Sequence, residues 1–156
     1  MIVFSRIDDR LIHGQVVTTW VNAYKIEQII ILNDRIAQDP VQQNILKMAA
    51  PQGIKVQAFG IEKFGQIIQK TPIKRRTMLI FANSIDAWKT VEAGVEISEL
   101  NVGGMRYQEG RTRLTTAVAV TPTEREAFEE LLAQGTKVQI QMVPNSQAVD
   151  LEEVLR

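Results

Sequence analysis

Between residues 6 and 16 the chain reads Arg-Ile-Asp-Asp-Arg-Leu-Ile-His-Gly-Gln-Val, and this stretch carries the only histidine of the protein, His13. A histidine that relays phosphate needs a neutral imidazole whose nucleophilic nitrogen is oriented by a hydrogen bond to the other. It also needs positive charge at the phosphoryl oxygens, and Arg10, three residues earlier, offers a two-pronged guanidinium. Backbone N–H groups at the start of a helix supply the rest of an anion cradle. Gly14 leaves His13 open to close approach by a second protein. Asp8 or Asp9 could orient the imidazole or hold Arg10, and the spacing leaves both assignments open. A purely structural alternative has Asp8 and Asp9 capping the next helix, with His13 in its first turn.

Other chemistries lack their residues. No GxGxxG follows the first apolar run and no GxxxxGK[ST] occurs, which argues against dinucleotide and P-loop nucleotide binding and hence against a nucleotide-dependent sugar kinase. The Asp8-Asp9 pair is reminiscent of a phospho-aspartate receiver, but Ala58-Phe59-Gly60 stands where the acceptor aspartate would be. One histidine and no cysteine argue against a zinc site and exclude a thiol nucleophile and a disulfide framework. Eighteen basic residues balance eighteen acidic ones, so no global field draws the chain to nucleic acid or anionic lipid. No cofactor or metal is expected.

These side chains need a scaffold, and the apolar pattern supplies one. Runs at Ile2–Ile7, Gln28–Leu32, Ile54–Phe59, Thr77–Phe81, Glu99–Val102, Leu114–Val120 and Lys137–Gln141 read as strands buried on both faces. Helical segments alternate with them, the pattern of an α/β protein with a parallel sheet. Asp39-Pro40 marks a helix start, and Thr121-Pro122-Thr123-Glu124 marks another with a capping box. Gly135 ends the helix carrying Phe128, Leu131 and Leu132. With 156 residues, 45% hydrophobic and 23% charged, the expectation is one domain over 1–156. The longest aliphatic runs are far short of the roughly 20 residues that cross a bilayer, and no signal-peptide pattern opens the chain. That points to the cytoplasm.

In a parallel sheet every strand ends at one edge, where ligands bind. The segments at that edge are 8–13, 33–39, 82–84 and 103–113. Gly103 and Gly104 could present consecutive N–H groups as a small anion-binding concavity. Arg106, Arg111 and Arg113 follow, either as a basic rim for a phosphorylated or acidic partner or as a solvated hairpin. Ser84 reads first as a helix cap, with phosphate contact as the alternative. Trp20, two helical turns beyond His13, reads as core, and Lys74-Arg75-Arg76 as a solvated turn.

The segment RIDDRLIHGQVVTTW resembles the active-site signature of enzyme IIB components of the mannose/fructose/sorbose class of the bacterial sugar phosphotransferase system (PTS). The resemblance continues at Asn83, Asp86-Ala87, Glu92–Val95, Asn101–Met105, Gly110, Thr115–Val118 and Met142–Pro144. It implies a three-layer α/β/α domain with a mostly parallel sheet. It further implies that His13 is phosphorylated on Nδ1 by the phosphohistidine of a IIA phosphocarrier domain. The group would then pass to a sugar entering through the membrane subunits IIC and IID, with which the chain would associate peripherally. Arg10 would act with His13, and Asp8, Asp9 and Gly14 would support it. The family often works as dimers, which leaves a homodimer open. The competing class is a non-catalytic module of the same fold that senses a phosphorylated ligand.

Overall fold

The computed structural model describes residues 1–156. Six strands lie parallel: β1 (Ile2–Asp8), β2 (Gln28–Leu32), β3 (Lys55–Phe59), β4 (Thr77–Phe81), β5 (Glu99–Gly104) and β8 (Lys137–Ile140). Their order is β3-β2-β4-β1-β5-β8, and a short antiparallel strand, β9 (Val149–Asp150), closes the edge beside β8. Six of the seven runs read as strands from sequence are therefore strands of this sheet, within two residues at either end.

The seventh is not. Leu114–Val120 does not continue as a strand of the main sheet; it folds back into a hairpin of β6 (Thr112–Arg113) and β7 (Ala119–Val120). The cause is local. Thr115 Oγ1 accepts from the backbone N–H groups of Ala117 and Val118, both at 3.2 Å, and so turns the chain that β-branched composition alone would extend. Met105, just past β5, bonds to this hairpin at Ala117 and Ala119 and ties it to the sheet's carboxyl edge.

Helices cover both faces. On one side α1 (Gly14–Tyr24) and α2 (Pro40–Ala49) bury Val17, Trp20, Val21 and Leu46 against Phe4, Ile29, Ile31, Met78 and Ile80. On the other, α3 (Ile61–Lys70), α4 (Ser84–Glu92), α5 (Pro122–Ala133) and α6 (Leu151–Leu155) pack on Ile7, Ile30, Leu32, Leu79, Phe81 and Val102. This is the three-layer α/β/α arrangement. The marked helix starts form as expected: Asp39 accepts from Gln42 N at 3.0 Å, and Thr121 and Glu124 complete a reciprocal capping box. Gly135 takes a φ of 104° just beyond α5, a conformation that favours glycine.

One asymmetry matters for the site. Alternation along β1 puts Ile7 on the α3–α6 side and Phe4, Arg6 and Asp8 on the α1 side. On the same side, β5 and β8 present Asn101 and Gln139 rather than aliphatic residues, since Leu100, Val102, Val138 and Ile140 face the other way. The α1 face thus changes from apolar to polar at β1.

Candidate active site

At the carboxyl end of β1 the chain turns sharply. Leu11 N donates to Asp8 O at 2.8 Å, and Leu11 adopts a φ of 59°, a left-handed conformation that costs a non-glycine residue about 1 kcal/mol or more. Gly14, at φ 49°, makes a second such turn without that cost. Together they bring His13 back over the strand it has just left. His13 becomes the N-cap residue of α1 with extended backbone, its side chain making no capping bond. The first N–H groups of α1 therefore open beside a partly exposed imidazole.

Asp8 is the centre of the cluster. Its carboxylate is 1% exposed and receives four groups. Oδ2 lies 2.8 Å from His13 Nε2 and 3.2 Å from Arg6 Nη2, while Oδ1 accepts from the Arg10 backbone N–H at 3.0 Å and lies 4.0 Å from Arg10 Nε. The choice left open by spacing is settled: Asp8, not Asp9, holds the imidazole, and Asp8 also anchors Arg10. A carboxylate only accepts, so Nε2 is the donor and the neutral ring carries its lone pair on Nδ1. Asp9 does something else. Its Oδ2 accepts from both the backbone N–H and Nε of Arg106, at 2.9 and 3.1 Å, and clips the 105–113 loop beside the His13 turn.

Sequence reasoning missed Arg6. This guanidinium is 2% exposed, stacks 5.4 Å over the Trp20 ring, and donates to Asp8, to the Asn101 side chain and to the Gln141 carbonyl. Burial pushes its pKa below the ordinary arginine value, and the Asp8 charge and hydrogen bond oppose that shift. The signal was present: Arg6 and Asp8 are two apart in a strand, hence on one face, inside an otherwise apolar run. Asn101 follows from the register, which pairs it with Arg6 across β1 and β5.

The profile of the PTS system sorbose subfamily IIB component matches residues 2–156 of the chain. The chain belongs to that family. It is 38% identical over 151 residues to the sorbose-specific EIIB component of Klebsiella pneumoniae, covering 96% of this chain and 92% of that one. It is 36% identical over 156 residues to the fructose-specific EIIB component of Bacillus subtilis, with 99% and 96% covered. The crystal structure of the IIBSor domain of the sorbose permease from Klebsiella pneumoniae superposes with a TM-score of 0.93 at 36% identity, covering 99% of this chain and 96% of that one. IIB components of this class accept phosphate from IIA, transfer it to the sugar and work with the IIC and IID membrane subunits. No helix of this IIB chain is long and apolar enough to cross a membrane.

Two site expectations need correction. Gly103 and Gly104 do not form an open anion-binding loop; both are buried in the last residues of β5. A Cβ on Gly103 would overlap the Arg6 guanidinium, so this glycine makes room for a buried cation. Ser84 neither caps its helix nor faces the site. It is fully buried, and its hydroxyl donates to the Glu124 carbonyl at 2.7 Å, tying α4 to α5, while Asn83 caps α4 through Asp86 N. The loop arginines are each engaged: Arg106 by Asp9, Arg111 by Glu124 at 3.0 Å, and Arg113 by the Tyr107 ring at 4.5 Å. Trp20 is core, as read, and its Nε1 donates to Met142 O at 3.0 Å.

Proposed function

We propose that His13 is the residue through which this IIB chain relays phosphate, and that it does so on Nδ1. The observation that carries this is the 2.8 Å contact between Asp8 and Nε2, which turns the other nitrogen into the lone-pair donor. Nδ1 attacks the phosphorus of the IIA phosphohistidine in line, a P–N bond forms as the donor's P–N bond breaks, and the electron pair returns to the IIA imidazole. As the His13 ring gains positive charge, its Nε2–H remains bonded to the Asp8 carboxylate, which stabilises that charge.

Arg10 is the residue proposed to hold the phosphoryl oxygens. Its side chain is 43% exposed and anchored by its own backbone to Asp8, so the guanidinium can swing to an incoming anion. The first N–H groups of α1 add fixed donors and the positive end of the helix dipole. Phosphoryl transfer asks chiefly for such positioning and charge. In the second half a sugar hydroxyl, delivered by the IIC and IID subunits, attacks the same phosphorus: an O–P bond forms as the P–Nδ1 bond breaks, the electron pair returns to Nδ1, and the hydroxyl proton leaves to solvent. Residues 1–156 would act as one IIB unit in the cytoplasm, docked on the membrane subunits.

Labelled phosphoenolpyruvate with the upstream phosphocarriers and IIA tests the relay. The wild-type chain is expected to acquire an acid-labile, alkali-stable label, and His13→Ala none. Label persisting in folded His13→Ala would refute the assignment.

A further inference from the structure

Asp8 presents the imidazole with a difficulty. A buried carboxylate at hydrogen-bond distance fixes the ring, but an unopposed one would also favour the charged imidazolium, whose Nδ1 carries a proton and cannot attack phosphorus. Orientation and nucleophilicity therefore pull in opposite directions. Arg6 resolves the conflict. It donates to Oδ2, the same oxygen that receives His13. The rest of the guanidinium is held by Asn101, the Gln141 carbonyl, the Trp20 face and the gap left by Gly103, so its position does not depend on the ring.

Building on the proposed relay role of His13, we infer that Arg6 is a positioning residue that keeps His13 a neutral nucleophile: its fixed charge offsets that of Asp8 while holding the Asp8 oxygen against Nε2. The charged groups around the ring are few. Asp8 touches it, Arg6 backs Asp8, Arg10 belongs to the same turn, and from the β5 side Arg106 is already held by Asp9. Helix α1 contributes no charged residue along its length. Removing Arg6 takes away a cation and frees the full charge of Asp8, and both changes favour the protonated ring.

Because His13 is the only histidine, its ring protons can be followed by NMR without assignment ambiguity. In Arg6→Met the titration midpoint of His13 is expected to move to higher pH. Asn101→Asp keeps the shape but sets a second carboxylate against the same guanidinium, and a smaller shift in the same direction is expected. Arg6→Lys, which retains the charge, should keep the midpoint near wild type even where it lowers the melting temperature. Phosphoryl acceptance from IIA should follow the titration, falling about tenfold on the acidic side of the profile in Arg6→Met and recovering at alkaline pH. A purely structural role would lower the rate equally at every pH and leave the midpoint in place. If Arg6→Met does not fold, Asn101→Asp decides. An unmoved midpoint in the folded variants overturns the inference. The titration is read on unphosphorylated protein, so a wild-type chain that IIA fails to label would refute the relay role and leave the charge coupling standing.

Discussion

Replacing Asp8 by asparagine changes one atom and should break the site twice. The carboxylate accepts at both oxygens: Arg6 Nη2 and His13 Nε2 at Oδ2, and the Arg10 backbone N–H at Oδ1. An amide has one oxygen. Whichever way it is turned, its NH2 group faces a donor that the carboxylate satisfied. Arg6, 2% exposed, also loses its counter-charge, and breaking a buried ion pair costs about 3–5 kcal/mol. For a chain of this size that corresponds to a melting temperature lower by about 10 °C. The chemical effect is separate. With NH2 toward His13, Nε2 must accept, the proton moves to Nδ1, and the proposed nucleophile is lost; for a histidine in that role such misdirection costs between about 10²- and 10⁴-fold in rate. Rapid-quench measurement of label transfer from IIA, made well below the melting transition and normalised to folded protein by circular dichroism, separates the two losses. Folded Asp8→Asn that accepts phosphate within about threefold of wild type would refute the role given to Asp8.

Gly103→Ala places a Cβ inside the space of the Arg6 guanidinium; overpacking of this kind costs about 1–3 kcal/mol, and urea denaturation should register that loss together with a slower transfer from IIA. Asp86 is buried at the start of α4, where its carboxyl accepts from Asn33 Nδ2 at 2.8 Å; burial raises its pKa, against the pull of that bond and of the Lys89 charge. A raised folded-state value means the ionised form opposes folding above that pKa, and the cost fades as pH falls through it. Asp86→Asn should therefore melt higher than wild type at neutral pH, and the gap should narrow in acid; a gap independent of pH would contradict the linkage.

The sheet was legible because strands buried on both faces leave continuous apolar runs, as Gln28–Leu32 and Thr77–Phe81 do to the residue. Leu114–Val120 is also mostly apolar and β-branched, yet the Thr115 hydroxyl turned it into a hairpin, a local competition that composition does not record. At the site, His13 and Arg10 were visible as chemistry-bearing residues next to a strand end. The division of labour between Asp8 and Asp9 was not, because it depends on the Leu11 and Gly14 turns that fold His13 back over β1. Gly103 illustrates the same limit from the other side. Its type was right for an exposed anion loop, but the space it leaves is filled by Arg6 from a neighbouring strand, a relation only the β1–β5 pairing creates. Ser84 was misplaced for a simpler reason: Asn83, one residue earlier, is the better cap, and the hydroxyl was left free to bind Glu124.

The proposed relay places phosphate on one particular nitrogen of one residue. Phosphorus–nitrogen correlation NMR on 15N-labelled chain, phosphorylated by IIA, reads that nitrogen directly. The expected spectrum couples phosphorus to Nδ1 of His13. Coupling to Nε2, or a phosphorus signal that survives in His13→Ala, would contradict it.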